Sequence, residues 1–332
     1  MLDVFGTAVA ISGNTIVVSG YGEDSSTTGV NGDQEDNSSA TSFAAYVFVR
    51  NGATWVQQAY LKASNNDAGD FFGYSVAVSV DTIVVGAINE ASKATGVNHE
   101  EGDDSAPEAG AAYVFVRDGT TWTQQAYLKA SNTDAGDRFS YVSVSGDTLV
   151  VGADLEASHA SGKNGNQADN SAPQAGAAYV FVRSNQVWTQ RAYLKATVAE
   201  ANSFFGFSVA ISGNAVLVGA YGQDVTVGGV GAAYVYPFEQ DVFACDGTLD
   251  SADALAIFRA LAGLTGAPTP TAPCTGDYDE SGDVNLQDVV AVLRQLAGMT
   301  NLEPQLQSLM FAPSPVAAGG STTLSFTVTN AD

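Results

Sequence analysis

Residues 72–87 read FGYSVAVSVDTIVVGA. Apolar and small residues alternate across Val76 and Val78 and run together from Ile83 to Val85, which is a two-residue period and not a helical one. The same phrase returns as FGTAVAISGNTIVVSG at 5–20, FSYVSVSGDTLVVGA at 139–153 and FGFSVAISGNAVLVGA at 205–220. Phe5, Phe72, Phe139 and Phe205 are spaced by 67, 67 and 66 residues. A fixed period of this size marks an array in which each unit buries its apolar face only against its neighbours.

Outward from that phrase, each unit carries two more apolar runs. In the first they are Tyr46–Val49 and Trp55–Leu61; they return as Tyr113–Val116 and Trp122–Leu128, then as Tyr179–Val182 and Trp188–Leu194. Gly13-Asn14 and Asn51-Gly52 separate consecutive runs, and both dipeptides tolerate the positive φ of tight hairpins. Four antiparallel strands per repeat make a β-propeller blade. Trp55, Trp122 and Trp188 recur with the blade and read as core residues.

The Phe-Gly pairs and the triplets Val85-Gly86-Ala87, Val151-Gly152-Ala153 and Val218-Gly219-Ala220 resemble the FG-GAP repeat, known from the propeller of integrin alpha subunits and from large bacterial surface proteins. The resemblance covers residues 1–240 and implies a mainly β fold. Integrin blades carry an Asp-rich calcium loop between their first two strands. Here that place holds Ser12-Gly13-Asn14, Ser145-Gly146-Asp147 and Ser212-Gly213-Asn214, so no calcium site is carried over to the blades. The fourth unit stops at Tyr234-Val235-Tyr236 without a Trp strand, giving an expectation of fifteen strands in an incomplete set of about four blades. Two readings follow: a piece of a larger propeller of about seven blades, or a four-bladed ring with one short blade.

The chain has 332 residues, with 36 acids against 12 bases. That balance argues against nucleic acid or an anionic membrane as partner, since both need a basic footprint. No window reads as a membrane span. The expected setting is extracellular, at or beyond a bacterial cell surface.

After Phe238 the pattern changes. SADALAIFRALAG (251–263) aligns with LQDVVAVLRQLAG (286–298), each an amphipathic helix closed by Gly. Before the second helix, Asp277, Asp279, Ser281, Asp283, Asn285 and Asp288 stand at positions 1, 3, 5, 7, 9 and 12 of a twelve-residue loop, with Gly282 at position 6. That is the EF-hand arrangement for Ca2+, with Asp283 contributing its carbonyl; the bland alternative is an acidic turn capping a helix. The first loop is poorer. It keeps Asp246, Asp250 and Asp253 but has Val242 and Ala244 where two ligands belong, so weak calcium binding and a plain cap at Asp250 both stay open.

A duplicated calcium loop plus helix resembles a type I dockerin across 241–300. The resemblance implies that Ser251, Ala252, Leu286 and Gln287 face a cohesin-like protein partner. Cys245 and Cys274 are the chain's two cysteines and read as a disulfide, with two free thiols as the alternative. Residues 301–332 form a linker and, through Leu324, Phe326 and Val328, the start of an Ig-like β segment.

Catalysis finds little support. His99 and His159 lie at non-equivalent places and no G-x-S-x-G or H-E-x-x-H occurs. Charge, by contrast, is unevenly placed. The connections from strand two to three and from blade to blade emerge on one face and hold most of the acids, among them Glu23, Glu90, Glu156, Asp70, Asp137, Asp154 and the cluster from Glu100 to Asp104. The hairpin face has only Asp81, Asp118 and Asp147. The expected function is therefore a non-enzymatic, calcium-binding adhesion or scaffold protein that binds protein or extracellular carbohydrate. The alternative is the appendage region of a secreted polysaccharide-degrading hydrolase.

Overall fold

A computed structural model describes residues 4–39, 41–213, 215–223 and 231–237. They fall within a unit spanning Met1–Glu239 and form four antiparallel sheets. The first blade is β1 (Val4–Ser12), β2 (Thr15–Tyr21), β3 (Ala44–Asn51) and β4 (Thr54–Leu61). The second is β5 (Phe72–Ser79), β6 (Thr82–Ala87), β7 (Ala111–Asp118) and β8 (Thr121–Leu128). In the third, β9 (Phe139–Ser145), β10 (Thr148–Ala153), β12 (Ala177–Ser184) and β13 (Val187–Lys195) are joined at the outer edge by the two-residue β11 (Gly162–Lys163). The fourth has β14 (Phe205–Ser212), β15 (Ala215–Ala220) and β16 (Ala232–Pro237).

The described residues thus hold the fifteen expected strands and one more. β11 belongs to the long connection between the second and third strands of its blade, and it pairs with β13 through Gly162↔Lys195 and Lys163↔Leu194. Val30↔Leu61 and Val97↔Leu128 make the same contact as single bridges. The long connections therefore fold back along the outer strand and cover an edge that would otherwise be open for pairing.

Burial explains why second strands read as unbroken apolar runs. β6 and β10 are buried at every position because a blade lies on each side of them, as in any sheet covered on both faces. β15, which among the described residues has a blade on one side only, alternates instead. Each core cluster joins the front of one blade to the back of the next: Val17, Val47 and Leu61 pack with Phe72, Val85 and Tyr113, and Val150, Val180 and Leu194 pack with Phe205 and Val216.

Blades are also latched at the hairpin end. The Trp122 indole Nε1 donates to Gln58 Oε1 of the preceding blade at 2.9 Å, and Trp188 does so to Gln125 at 2.8 Å. Arg117 stacks over Trp122 at 5.1 Å and donates to Asp81 Oδ1 at 2.7 Å. Trp122 and Trp188 are core residues, whereas Trp55, in the first blade, is 40% exposed.

The helices expected at 251–263 and 286–298, the calcium loops with Asp246, Asp250, Asp253, Asp277, Asp279, Ser281, Asp283, Asn285 and Asp288, the partner positions Ser251, Ala252, Leu286 and Gln287, the cysteines Cys245 and Cys274 and the segment 301–332 all lie outside the described residues.

Candidate functional site

The face that carries the long connections is built on a repeated buried ion pair. Lys62 Nζ donates to Glu23 Oε2 at 3.0 Å, Lys129 to Glu90 at 2.7 Å and Lys195 to Glu156 at 2.7 Å, every side chain at most 5% exposed. The glutamate opens the connection after the second strand and the lysine stands at the end of the fourth or just after it. The pair therefore ties the root of the loop to the outer edge of its own blade. Tyr127 and Tyr193 donate to the other carboxylate oxygen of Glu90 and Glu156 at 2.8 and 2.9 Å. The preceding inter-blade turn adds the amide of Asn65 to Glu90 and of Asn132 to Glu156. Burial holds all three lysines below their ordinary pKa, the facing glutamate opposing it.

The sequence pattern places Glu23, Glu90 and Glu156 among the acids of an open charged face. They are interior and neutralised, and so belong to the frame. The signal was available, because a lysine follows each of these glutamates at a constant separation of 39 residues.

Two further acids are interior. Asp70 and Asp137 stand in the inter-blade turns just before the Phe-Gly strand, where their carboxylates accept from the backbone N–H of Asp67 at 3.3 Å and Asp134 at 2.9 Å. Burial pushes both up to about 7, with Glu90 adding to the effect at Asp70 and Glu156 at Asp137. Asp154 is 3% exposed and is pushed up to about 6 by burial, with Arg138 and the Tyr141 hydroxyl easing the shift. Above it runs a row of rings that the periodicity did not reveal: Tyr74 to Tyr141 at 5.8 Å, Tyr141 to Phe207 at 5.1 Å and Phe207 to Tyr221 at 4.8 Å. These residues follow the Phe-Gly pair or the Gly-Ala step in their blades.

Three segments match the family model described as FG-GAP repeat: 55–115, 122–181 and 188–236, together about half of the chain. The chain belongs to the FG-GAP repeat family. Each FG-GAP match starts on an outer Trp strand and runs through the first three strands of the following blade, so the matched unit is the pair of surfaces that meet between blades. No curated protein matches the chain.

What remains outside the FG-GAP frame is a set of exposed acids on the long connections. Asp33 and Glu35 belong to the first, Glu100, Asp104 and Glu108 to the second, all exposed, with Asp36, Glu101, Asp103 and Asp169 half-buried. The loops that bear them are fixed by repeated backbone bonds to the outer strand. Asn31 donates its N–H to the Tyr60 carbonyl at 2.7 Å, and its side-chain oxygen accepts from the Tyr60 N–H at 2.9 Å. Asn98 with Tyr127 and Asn164 with Tyr193 repeat the exchange. Asn31, Asn98 and Asn164 all have positive φ near 56° (57, 55 and 57), a conformation asparagine tolerates better than most residues. Among the described residues, no three histidine, cysteine or carboxylate side chains converge on a metal-binding arrangement.

Proposed function

We propose that this chain is a non-catalytic extracellular binding protein, an adhesion or scaffold module. Its working surface is the acidic face of the FG-GAP propeller, and its C-terminal element at 241–300 is a calcium-binding, dockerin-like docking module. The observation that carries the first part is the contrast between interior and surface acids. Glu23, Glu90 and Glu156 are consumed in ion pairs, while Glu35, Glu100 and Asp104 stay exposed on loops anchored by main-chain bonds. A charged surface held in one conformation loses little entropy when a partner arrives. Its field attracts cations or a basic partner protein over about 8 Å at physiological salt.

Support for the second part is the oxygen-rich loop from Asp277 to Asp288, whose donors and Gly282 match the hard-oxygen coordination that Ca2+ takes. Ser251, Ala252, Leu286 and Gln287 are the positions proposed to meet a cohesin-like partner. The test of the binding reading is a screen of the purified chain against immobilised extracellular-matrix proteins and glycans at rising ionic strength. Salt-sensitive retention by a basic subset supports it, and absence of retention at low salt rejects it.

A further inference from the structure

The second and third blades each hold a lysine, a glutamate, an asparagine and a tyrosine on one hydrogen-bonded path. In the second, Lys129 Nζ donates to Glu90 Oε2 at 2.7 Å, and Asn65 Nδ2, from the preceding inter-blade turn, donates to Glu90 Oε1 at 3.1 Å. The Tyr113 hydroxyl donates to Asn65 Oδ1 at 2.5 Å. The third blade repeats the set, with Lys195 on Glu156 at 2.7 Å, Asn132 on Glu156 at 2.9 Å and Tyr179 on Asn132 at 2.7 Å. An amine and an amide thus share the two oxygens of one carboxylate, and the amide carbonyl already receives a hydroxyl.

The two amines differ from the one in the first blade. Lys62 Nζ donates to Glu23 Oε2, Ser42 Oγ and the Phe43 carbonyl, a partner for each of its three protons. Ala109 and Ala175 stand where Ser42 does, and among the described residues Lys129 and Lys195 each have the glutamate alone as hydrogen-bond partner. A buried ammonium so poorly satisfied is costly, and burial lowers the pKa of both lysines. A desolvated lysine is the kind that acts as a nucleophile. Burial pushes the Tyr113 and Tyr179 hydroxyls well up, so they stay protonated and donating. Asn65 and Asn132 are half-buried, so a small product released there reaches solvent.

We propose that Lys129 with Asn65, and Lys195 with Asn132, react within the folded chain to form isopeptide cross-links, each tying an inter-blade turn to the outer end of the following blade. Glu90 takes a proton from Nζ, and the freed lone pair attacks Asn65 Cγ while the Tyr113 hydroxyl meets the charge that develops on Oδ1. The Nζ–Cγ bond forms, Glu90 passes a proton to Nδ2, and the Cγ–Nδ2 bond breaks to release ammonia. Of the three Nζ protons, one stays in the new amide, one departs with the ammonia and one remains on Glu90. The exchange of one amide for another needs no co-reactant. The ion pair is the state of the freshly folded chain, and the bond accumulates from it with time.

Intact mass of the full chain, denatured and reduced after prolonged incubation in its folded state, tests this, with peptide mapping to place the links. The wild type is expected to be lighter than its sequence by one ammonia for each link, with branched peptides joining Asn65 to Lys129 and Asn132 to Lys195. Glu90→Gln and Asn65→Ala are each expected to lose the first link and keep the second, which also shows that the variant has folded. A wild type that stays at its full sequence mass, a branched peptide joining other residues, Asn65 hydrolysed to aspartate with Lys129 left free, or either variant keeping the first link would overturn the proposal.

Discussion

Lys129 Nζ lies 2.7 Å from Glu90 Oε2 with both side chains 1% exposed, and the position of Glu90 is taken in the fourth blade by Gln223. The substitution follows the chemistry. The three blades with a buried glutamate each have a lysine at the end of the fourth strand or just after it, whereas β14, β15 and β16 have no such strand beside them among the described residues. A carboxylate at 223 would be buried without its cation, and Gln223 donates instead to Glu200 Oε2 at 3.0 Å.

Removing one member of the buried pair should be severe. Lys129→Met leaves Glu90 charged in the interior and is expected to destabilise the propeller by about 3–5 kcal/mol, whereas Glu90→Leu combined with Lys129→Met should recover much of the loss. Denaturant unfolding of the single and double variants measures it. A neutral Lys129→Met would mean that the pair does not hold the loop root.

The converse experiment uses the fourth blade. Gln223→Glu puts a carboxylate where Gln223 is 1% exposed and Glu200 is already close, and a loss of roughly 2–4 kcal/mol is expected from the unpaired buried charge. Unfolding at neutral pH should show the loss, and it should shrink on acidification. Unchanged stability would contradict the reading of this position as a charge-matched one.

Repetition made the blade count, the strand sequence and the core places of Trp122 and Trp188, though not the exposure of Trp55, legible, because alternation and tight-turn dipeptides act over a few residues. The long-range pairings were less visible. Glu90 and Lys129 are separated by 39 residues, and composition alone cannot tell an acid facing solvent from one facing a lysine. The ring row from Tyr74 to Tyr221 was hidden for a related reason: Tyr74, Tyr141 and Phe207 come from the first strands of successive blades and Tyr221 follows the second strand of the fourth, and the period of two within each strand does not say which side chains meet between strands.

One hairpin residue is strained. Val80 occupies the hairpin position of Gly13, Gly146 and Gly213 and has φ 51°, where a β-branched side chain is disfavoured. Val80→Gly should stabilise by about 1 kcal/mol, relief of strain outweighing the added freedom of the unfolded chain. Val80 is exposed and packs little, so thermal unfolding reads the backbone effect directly; a lower midpoint would refute it.

Stability should fall as pH rises from about 4 to about 7. Asp70 and Asp137 are raised to about 7 and Asp154 to about 6 when folded, while unfolded aspartates titrate near about 3.9. Between those values the folded state holds more protons than the unfolded one, so the stability these groups contribute is complete below about pH 4 and is lost as pH climbs towards about 7. Asp70→Asn with Asp137→Asn should flatten the dependence of the unfolding midpoint on pH. An equally steep slope in the double variant would assign it to other groups.

Calcium is expected to act on residues 241–300 and to leave the propeller nearly unaffected. Calorimetric titration of the wild type and of Asp277→Ala with Asp288→Ala measures this. Loss of calcium binding in the variant is expected, and unchanged binding would remove the loop from Asp277 to Asp288 as the site.

The acidic face is tested most directly by binding of a cationic polypeptide, polylysine, to the wild type and to Glu35→Gln, Glu100→Gln, Asp104→Asn across a salt series. Weaker binding of the variant together with a shallower dependence on salt is the predicted result, since surface charges interact over a Debye length of about 8 Å at physiological ionic strength. Binding that ignores both the substitutions and the salt would contradict the assignment of this face as the working surface.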